Sequence, residues 1–275
     1  MIFNSEIITS RNNQLVKWAS SLHEKKGRDN NECFIAEGMK LTFEALDSRL
    51  NVTHIFVCES KKDLYLSKLS ENKDEIYSET KVVILEDNVF SKISTEKAPQ
   101  GIISVIKYLD FFRKMDIIYK EDFLLGDSER VIVLSSLRDP GNLGSVIRSS
   151  VAFGVDHILL TADSADLYNP KTVRSAMGSL FRVKTTRISD ISSLVDYLHS
   201  KGRKIYAAEL CDGATSLNEL NLASTDAVVI GNEGHGIPKE FSSICDGSVY
   251  IPISKNTESL NAAVAAAIFM WEQCK

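Results

Sequence analysis

From Val131 onward, short apolar runs rich in β-branched residues alternate with stretches of helical spacing, and this alternation limits the fold more than any other feature. Val131-Ile132-Val133-Leu134, His157 to Leu160, Ile205 to Glu209, Ala227 to Ile230 and Ser248 to Ile253 read as strands. Between and after them, Leu143 to Phe153, a stretch around Thr172 to Leu180, Ile191 to His199 and Leu260 to Trp271 read as helices. Strands alternating with helices predict an α/β domain with a mostly parallel sheet flanked by helices on both faces.

The first part of the chain reads as a smaller α/β unit. Leu15, Trp18, Ala19 and Leu22 fall at helix spacing, Lys25 to Asn31 is a charged turn, and Cys33 to Ala36 is a short strand ended by Glu37-Gly38. Met39 to Leu46 begins a second helix, and Lys61 to Tyr77 is charged and helical. Val52 to Cys58, Lys81 to Leu85 and Gly101 to Ile106 are further strands. Within 108–130, Phe111-Phe112 and Phe123-Leu124-Leu125 alternate with charges. A division into 1–107, a linker 108–130 and 131–275 leaves two units of ordinary domain size for a chain of 275 residues.

A net charge of −5 advertises no nucleic-acid partner, yet a local basic face can coexist with an acidic whole. Cys33, Cys58, Cys211, Cys245 and Cys274 are odd in number and form no C-x-x-C pair, which fits reduced thiols. The N-terminus carries no basic segment followed by an apolar core, and no apolar run reaches the roughly 18 residues of a membrane span. A cytoplasmic protein is expected, with no membrane partner.

Three segments follow strand ends, where ligands gather in α/β sheets. In Arg138-Asp139-Pro140-Gly141-Asn142-Leu143-Gly144, two glycines bracket Asn142 at a helix start, and Arg148 lies one turn beyond Gly144 on the same face. The free N–H groups of that first turn suit an anion. Asn142 as an ordinary cap and Arg148 as a solvated charge remain the alternative. Gly231-Asn232-Glu233-Gly234-His235-Gly236 holds three glycines in six residues, which exposes main-chain groups able to read a base edge or a cofactor. His235 has no second ligand at metal spacing, so no metal is expected. Ser259-Leu260-Asn261 caps an alanine-rich helix that could equally be a buried core helix with a serine cap. H-E-x-x-H, G-x-S-x-G and Walker patterns are absent from the sequence.

Taken together, the three segments resemble the SpoU (TrmH-type) branch of the SPOUT RNA methyltransferases, over the whole of 131–275. Asn142, Gly144 and Arg148 match its first motif, Gly231, Glu233 and Gly236 its second, and Ser259, Leu260 and Asn261 its third. Phe34 to Gly38 with Leu41 and Leu46 resembles the family's N-terminal substrate-binding module. The resemblance implies a trefoil knot, a homodimer, and S-adenosylmethionine as cofactor for methylation of a ribose 2′-hydroxyl. It implies catalytic roles for Asn142, Arg148, Glu233, Ser259 and Asn261, and cofactor contacts from Leu210, Gly231, Gly236, Ile251 and Leu260. Arg148 sits at the reacting ribose; as a proton acceptor it would need unusual help, because a guanidinium stays charged.

Structured RNA is the implied partner, with Arg11, Lys17, Lys25, Lys26 and Arg28 of one basic stretch as candidate contacts. A solvated helix face is the alternative for each. The separate N-terminal module points to ribosomal RNA over transfer RNA. A transfer-RNA methyltransferase, a non-catalytic RNA-binding or ribosome-assembly factor, and a small-molecule or protein methyltransferase are the competing functions.

Overall fold

A computed structural model of the chain describes residues 1–72, 74–109, 112–115, 125–232 and 234–275, without the side chains of Ser5 and 112–115. The chain divides into two compact units, Met1–Leu109 with Asp166–Phe181, and Asp110–Ala165 with Arg182–Lys275.

The first unit contains β1 (Ile2–Ile8), α1 (Gln14–Ser21), α2 (Lys25–Asn31), β2 (Cys33–Glu37), α3 (Met39–Asp47), β3 (Val52–Cys58), α4 (Lys62–Ser70), β4 (Lys81–Leu85), α5 (Asp87–Ile93) and β5 (Ile102–Lys107). Its strands lie in the order β1-β4-β3-β5-β2. β4 runs parallel to β1 and β3, whereas β5 runs antiparallel to β3 and β2. Val16, Ala19 and Leu22, placed by helix spacing, meet Phe56, Val83, Phe90 and Ile103 in one buried cluster. β1 went unmarked in the sequence because Asn4, Ser5 and Glu6 interrupt its apolar ends; it is an edge strand, with a single neighbour in the sheet.

Lys25 to Asn31, expected as a charged turn, forms the helix α2, which closes at Glu32 in the left-handed region (φ 49°). Lys25 pairs with Asp29 one turn on, and Gly27 is needed because a Cβ there would lie 2.0 Å from the Ser21 carbonyl oxygen. Arg28 turns inward from this helix. It is 2% exposed and donates to Leu22 O (2.9 Å), His23 O (2.6 Å) and Asp166 Oδ2 (2.5 Å).

The segment Asp166–Phe181, included in 131–275 on sequence, thus clusters with the first unit. Tyr168 stacks on Phe34 (ring centroids 4.6 Å) and on Tyr108 (4.2 Å), and its hydroxyl accepts from Leu109 N at 2.8 Å.

The second unit contains β6 (Phe112–Met115), β7 (Val131–Leu134), α6 (Pro140–Ala152) and β8 (His157–Thr161). The chain then forms α7 (Pro170–Ala176), which belongs to the first unit, before returning through β9 (Lys184–Ile188), α8 (Ile191–Ser200), β10 (Ile205–Ala208) and β11 (Thr215–Ser216). It ends with β12 (Ala227–Ile230), α9 (Lys239–Ser242), β13 (Gly247–Tyr250) and α10 (Ala262–Gln273). The helix expected to reach Leu180 stops at Ala176, because Met177 turns left-handed (φ 50°) and a single 3-10 turn follows at Ser179–Phe181.

Eight strands lie in the order β11-β13-β10-β12-β7-β8-β9-β6, and every pairing is parallel. This is the flanked parallel sheet that the alternating pattern predicts. β6 falls inside the expected linker, as does Leu125, which is buried and donates its N–H to Tyr197 Oη at 2.8 Å. Phe111, Phe123 and Leu124 lie outside the described residues. From β7 the chain winds outward through β8 and β9, then crosses to β10 and β12 on the other side of β7. Such a reversal leaves a crevice at the carboxyl ends of the central strands. Among the described residues, no helix is long and apolar enough to cross a membrane.

Candidate active site

The three motif segments leave the carboxyl ends of β7, β12 and β13. After β7, Ser135 N donates to Ile230 O at 2.8 Å, and Ser136 turns left-handed (φ 55°). Asp139 then caps α6, accepting from Asn142 N at 2.8 Å, with Pro140 at the first helical position. The cap is therefore Asp139 and not Asn142.

After β12 the chain folds back on itself. Asn232 N donates to Gly236 O (3.0 Å) and Gly236 N donates to Asn232 O (2.9 Å). A Cβ on Gly231 would come within 2.5 Å of the Gly236 carbonyl carbon, so only glycine permits this closure. Asn232 Oδ1 accepts from Gly234 N at 2.9 Å, while its Nδ2 donates to Ser136 O at 2.9 Å and joins the second loop to the first. Glu233 lies outside the described residues.

After β13 the chain runs through Ile251 to Leu260 and enters α10. Here the cap is Asn261, whose Oδ1 accepts from Ala263 N (2.9 Å) and Val264 N (3.3 Å). The serine cap read as an alternative is not the one used. Asn261 Nδ2 donates to Asn142 Oδ1 at 3.0 Å and joins the third loop to the first. Two side-chain hydrogen bonds thus tie three loops that are far apart in sequence.

Between the loops after β10, β12 and β13 lies a cavity of about 340 Å³. Leu210, Gly231, Gly236, Ile251 and Leu260, the five residues expected at a cofactor, all line it, and so does Ser259. Asn142, Arg148 and Asn261 do not line it. Arg148 is exposed on α6, and its side chain makes no hydrogen bond or ion pair among the described residues. Six residues of helix set it about 9 Å along the axis and about 120° around from Asn142, so the two do not share a face.

Sequence reasoning missed further wall residues, namely Glu209, Asn232, Tyr250, Glu258 and Phe269. Asn232 had a usable signal, because Asn two positions before a glycine favours a side-chain-to-backbone turn. Tyr250 and Phe269 look in sequence like ordinary core.

In the first unit, Arg11, Lys17, Lys25 and Lys26 are exposed. Arg11 donates to Asn88 O through Nε (3.0 Å) and Nη2 (2.8 Å), and Lys92 Nζ donates to Arg11 O at 2.9 Å, which adds a cation the sequence did not mark. Arg28 is the exception in the expected RNA-contact set: its guanidinium is used inside the unit and has no surface to offer.

Comparison with known proteins agrees with this architecture. Residues 129–271 match the SpoU rRNA Methylase family, and residues 13–104 match an MRM3-like substrate binding domain. The chain is 33% identical over 264 residues to the 23S rRNA (guanosine(2553)-2′-O)-methyltransferase RlmP of Bacillus subtilis (strain 168), covering 96% of this chain and 97% of that protein. It is 26% identical over 270 residues to a 23S rRNA (uridine(2479)-2′-O)-methyltransferase of Streptomyces viridochromogenes, covering 96% of this chain and 90% of that one. The crystal structure of an AdoMet-bound rRNA methyltransferase from Sinorhizobium meliloti superposes with a TM-score of 0.81 at 26% identity, covering 98% and 97% of the two chains. The chain belongs to the SpoU rRNA methylase family.

Proposed function

We propose that this chain transfers a methyl group from S-adenosylmethionine to a ribose 2′-hydroxyl of ribosomal RNA. The observation that carries it is the cavity walled by Leu210, Gly231, Gly236, Ile251 and Leu260 at the carboxyl ends of β10, β12 and β13. Its size suits a nucleoside-sized ligand, and Ile230, Val249 and Phe269 give its wall apolar surface suited to a purine. The closure requires Gly231 to lack a side chain, and Gly231, Gly234 and Gly236 bring backbone to the cavity wall without side chains to fill it. The residues present therefore fit this cofactor.

When bound, S-adenosylmethionine supplies a methyl group on a sulfonium, open to in-line attack by an oxygen. The chain's residues must align the ribose and help its hydroxyl lose a proton. Asn142 and Asn261, locked together at 3.0 Å, fix the loop edge beside the cavity where the ribose enters. Exposed Arg148 meets the ribose and its phosphate, where a permanent cation stabilises the developing alkoxide. Ser259 positions the cofactor edge, and Glu233 completes the catalytic group.

The first unit holds the RNA through Arg11, Lys17, Lys25 and Lys26. Relatives named for 23S rRNA favour ribosomal RNA, and the transfer-RNA alternative is not favoured. The chain is a homodimer in this reading, supported by an apolar stripe on α10 where Val264 is 48% and Trp271 54% exposed. A trefoil knot is supported by the path after β13. That strand lies outside β10, yet α10 returns to β7 and α6, with Gln273 Nε2 donating to Val131 O (3.3 Å) and Cys274 Sγ to Phe153 O (2.6 Å). Five free cysteines and a ribosomal substrate support a cytoplasmic site of action.

Arg148→Ala tests the assignment. Turnover on ribosomal RNA should fall by more than a hundredfold while S-adenosylhomocysteine binds within about twofold of the parent. Unchanged turnover would remove Arg148 from the reaction, and preferred methylation of transfer RNA would overturn the substrate.

A further inference from the structure

Glu209 directly follows β10 and lines the cavity beside Leu210. Its Oε1 accepts from Ser248 Oγ at 2.8 Å, with Cys211 Sγ 3.9 Å from the same oxygen. Neither partner carries a positive charge, and Glu209 forms no ion pair among the described residues. Among the described wall residues the charged side chains are Glu209 and Glu258, both acidic, with no Lys, Arg or His to offset them. The Cys245 thiol is pushed up to about 12, chiefly by burial and further by the carboxylates of Asp246 and Glu209.

A cavity with uncompensated carboxylates favours a ligand that brings a cation. Methyl transfer removes that cation. The methyl carbon passes from sulfur to the ribose oxygen, sulfur keeps the bonding pair and becomes a neutral thioether, and the hydroxyl proton leaves to water. We infer that Glu209, assisted by Glu258, makes the cavity select the cationic cofactor over its neutral product, so that the reaction itself loosens the spent ligand. The inference rests on the methyltransferase reading above and assigns to Glu209 a specificity role that the three motifs do not contain. Loss of one unit charge near a half-exposed carboxylate changes affinity about three- to tenfold.

The test is calorimetric binding to the full chain, with no turnover involved. The probes are S-adenosylhomocysteine and sinefungin, an analogue in which a protonated amine replaces the sulfonium. Sinefungin should bind about three- to tenfold more tightly than S-adenosylhomocysteine at low salt, and the ratio should shrink as salt rises. Glu209→Gln, which can still accept from Ser248, should bring the ratio close to one by weakening sinefungin while leaving S-adenosylhomocysteine nearly unchanged. Glu258→Gln should give a smaller change of the same sign. Equal loss of both ligands in Glu209→Gln would mean that the carboxylate contacts a part they share, such as the sugar hydroxyls, and would overturn the inference. An unchanged ratio would overturn it too. Failure of the parent protein to bind either ligand would instead defeat the methyltransferase reading. Thermal melting of each variant, expected within a degree or two of the parent, separates a lost charge from a lost fold.

Discussion

Asn261 Nδ2 donates to Asn142 Oδ1 at 3.0 Å across 119 positions of sequence, while Asn261 Oδ1 caps α10. One carboxamide therefore sets both the start of the last helix and the position of the first motif. Asn261→Asp keeps the capping oxygen and loses the donor, whereas Asn261→Ala loses both. Urea denaturation should show Asn261→Ala less stable by about 1 kcal/mol and Asn261→Asp within about 0.5 kcal/mol of the parent. Both should lose more than tenfold in methyl transfer. A fully active Asn261→Asp would show that the link between the motifs is incidental.

Gly231→Ala places a Cβ against the Gly236 backbone, where no flexible side chain can yield. The loop must open, and S-adenosylhomocysteine affinity should fall at least tenfold by calorimetry with only a small loss in melting temperature. Parent-like affinity would separate the cavity from cofactor binding.

Arg28 and Lys26 lie two positions apart in one basic stretch but face different surroundings. Truncating Arg28 leaves Asp166 without its buried partner, so Arg28→Met should destabilise the protein by about 3–5 kcal/mol. Lys26→Met, at an exposed site, should change stability by less than about 0.5 kcal/mol and weaken RNA binding. Denaturation and filter binding on the two variants decide this; a stable Arg28→Met with weak RNA binding would return Arg28 to the RNA surface.

His54 lies against Trp18 (ring centroids 4.9 Å), and burial, aided by Lys81, lowers its pKa to about 4. The unfolded chain protonates first, near 6.5. Stability present above pH 6.5 should therefore drain away as pH falls toward 4 and level off below it. For a half-buried ring the loss is about 1–2 kcal/mol after solvent screening. His54→Gln should flatten the stability curve between pH 6.5 and 4; an identical slope would assign the acid sensitivity to other groups.

The sheet of the second unit was legible because runs such as Val131–Leu134 and Ala227–Ile230 are buried on both faces and read as unbroken apolar segments. The cavity wall was legible where glycine and proline mark loops. Glu209 was not, because a lone glutamate at a strand end has no local signature. Arg28 was misjudged for the opposite reason. Its basic neighbours suggested a surface, and the burying partner Asp166 is 138 positions away. The return of Asp166–Phe181 to the first unit is likewise a matter of tertiary packing by Tyr168 and Arg28, which periodicity does not encode.

In this reading three tied loops bring a methyl donor and a ribose together, and methyl transfer to that ribose is the measurable consequence. Its most direct measurement is incubation of the full chain with labelled S-adenosylmethionine and unmethylated ribosomal RNA, followed by alkaline hydrolysis and mapping of resistant linkages. One resistant ribose position in ribosomal RNA is expected, absent with Arg148→Ala. Label on a base, on protein, or on no macromolecule at all would contradict it.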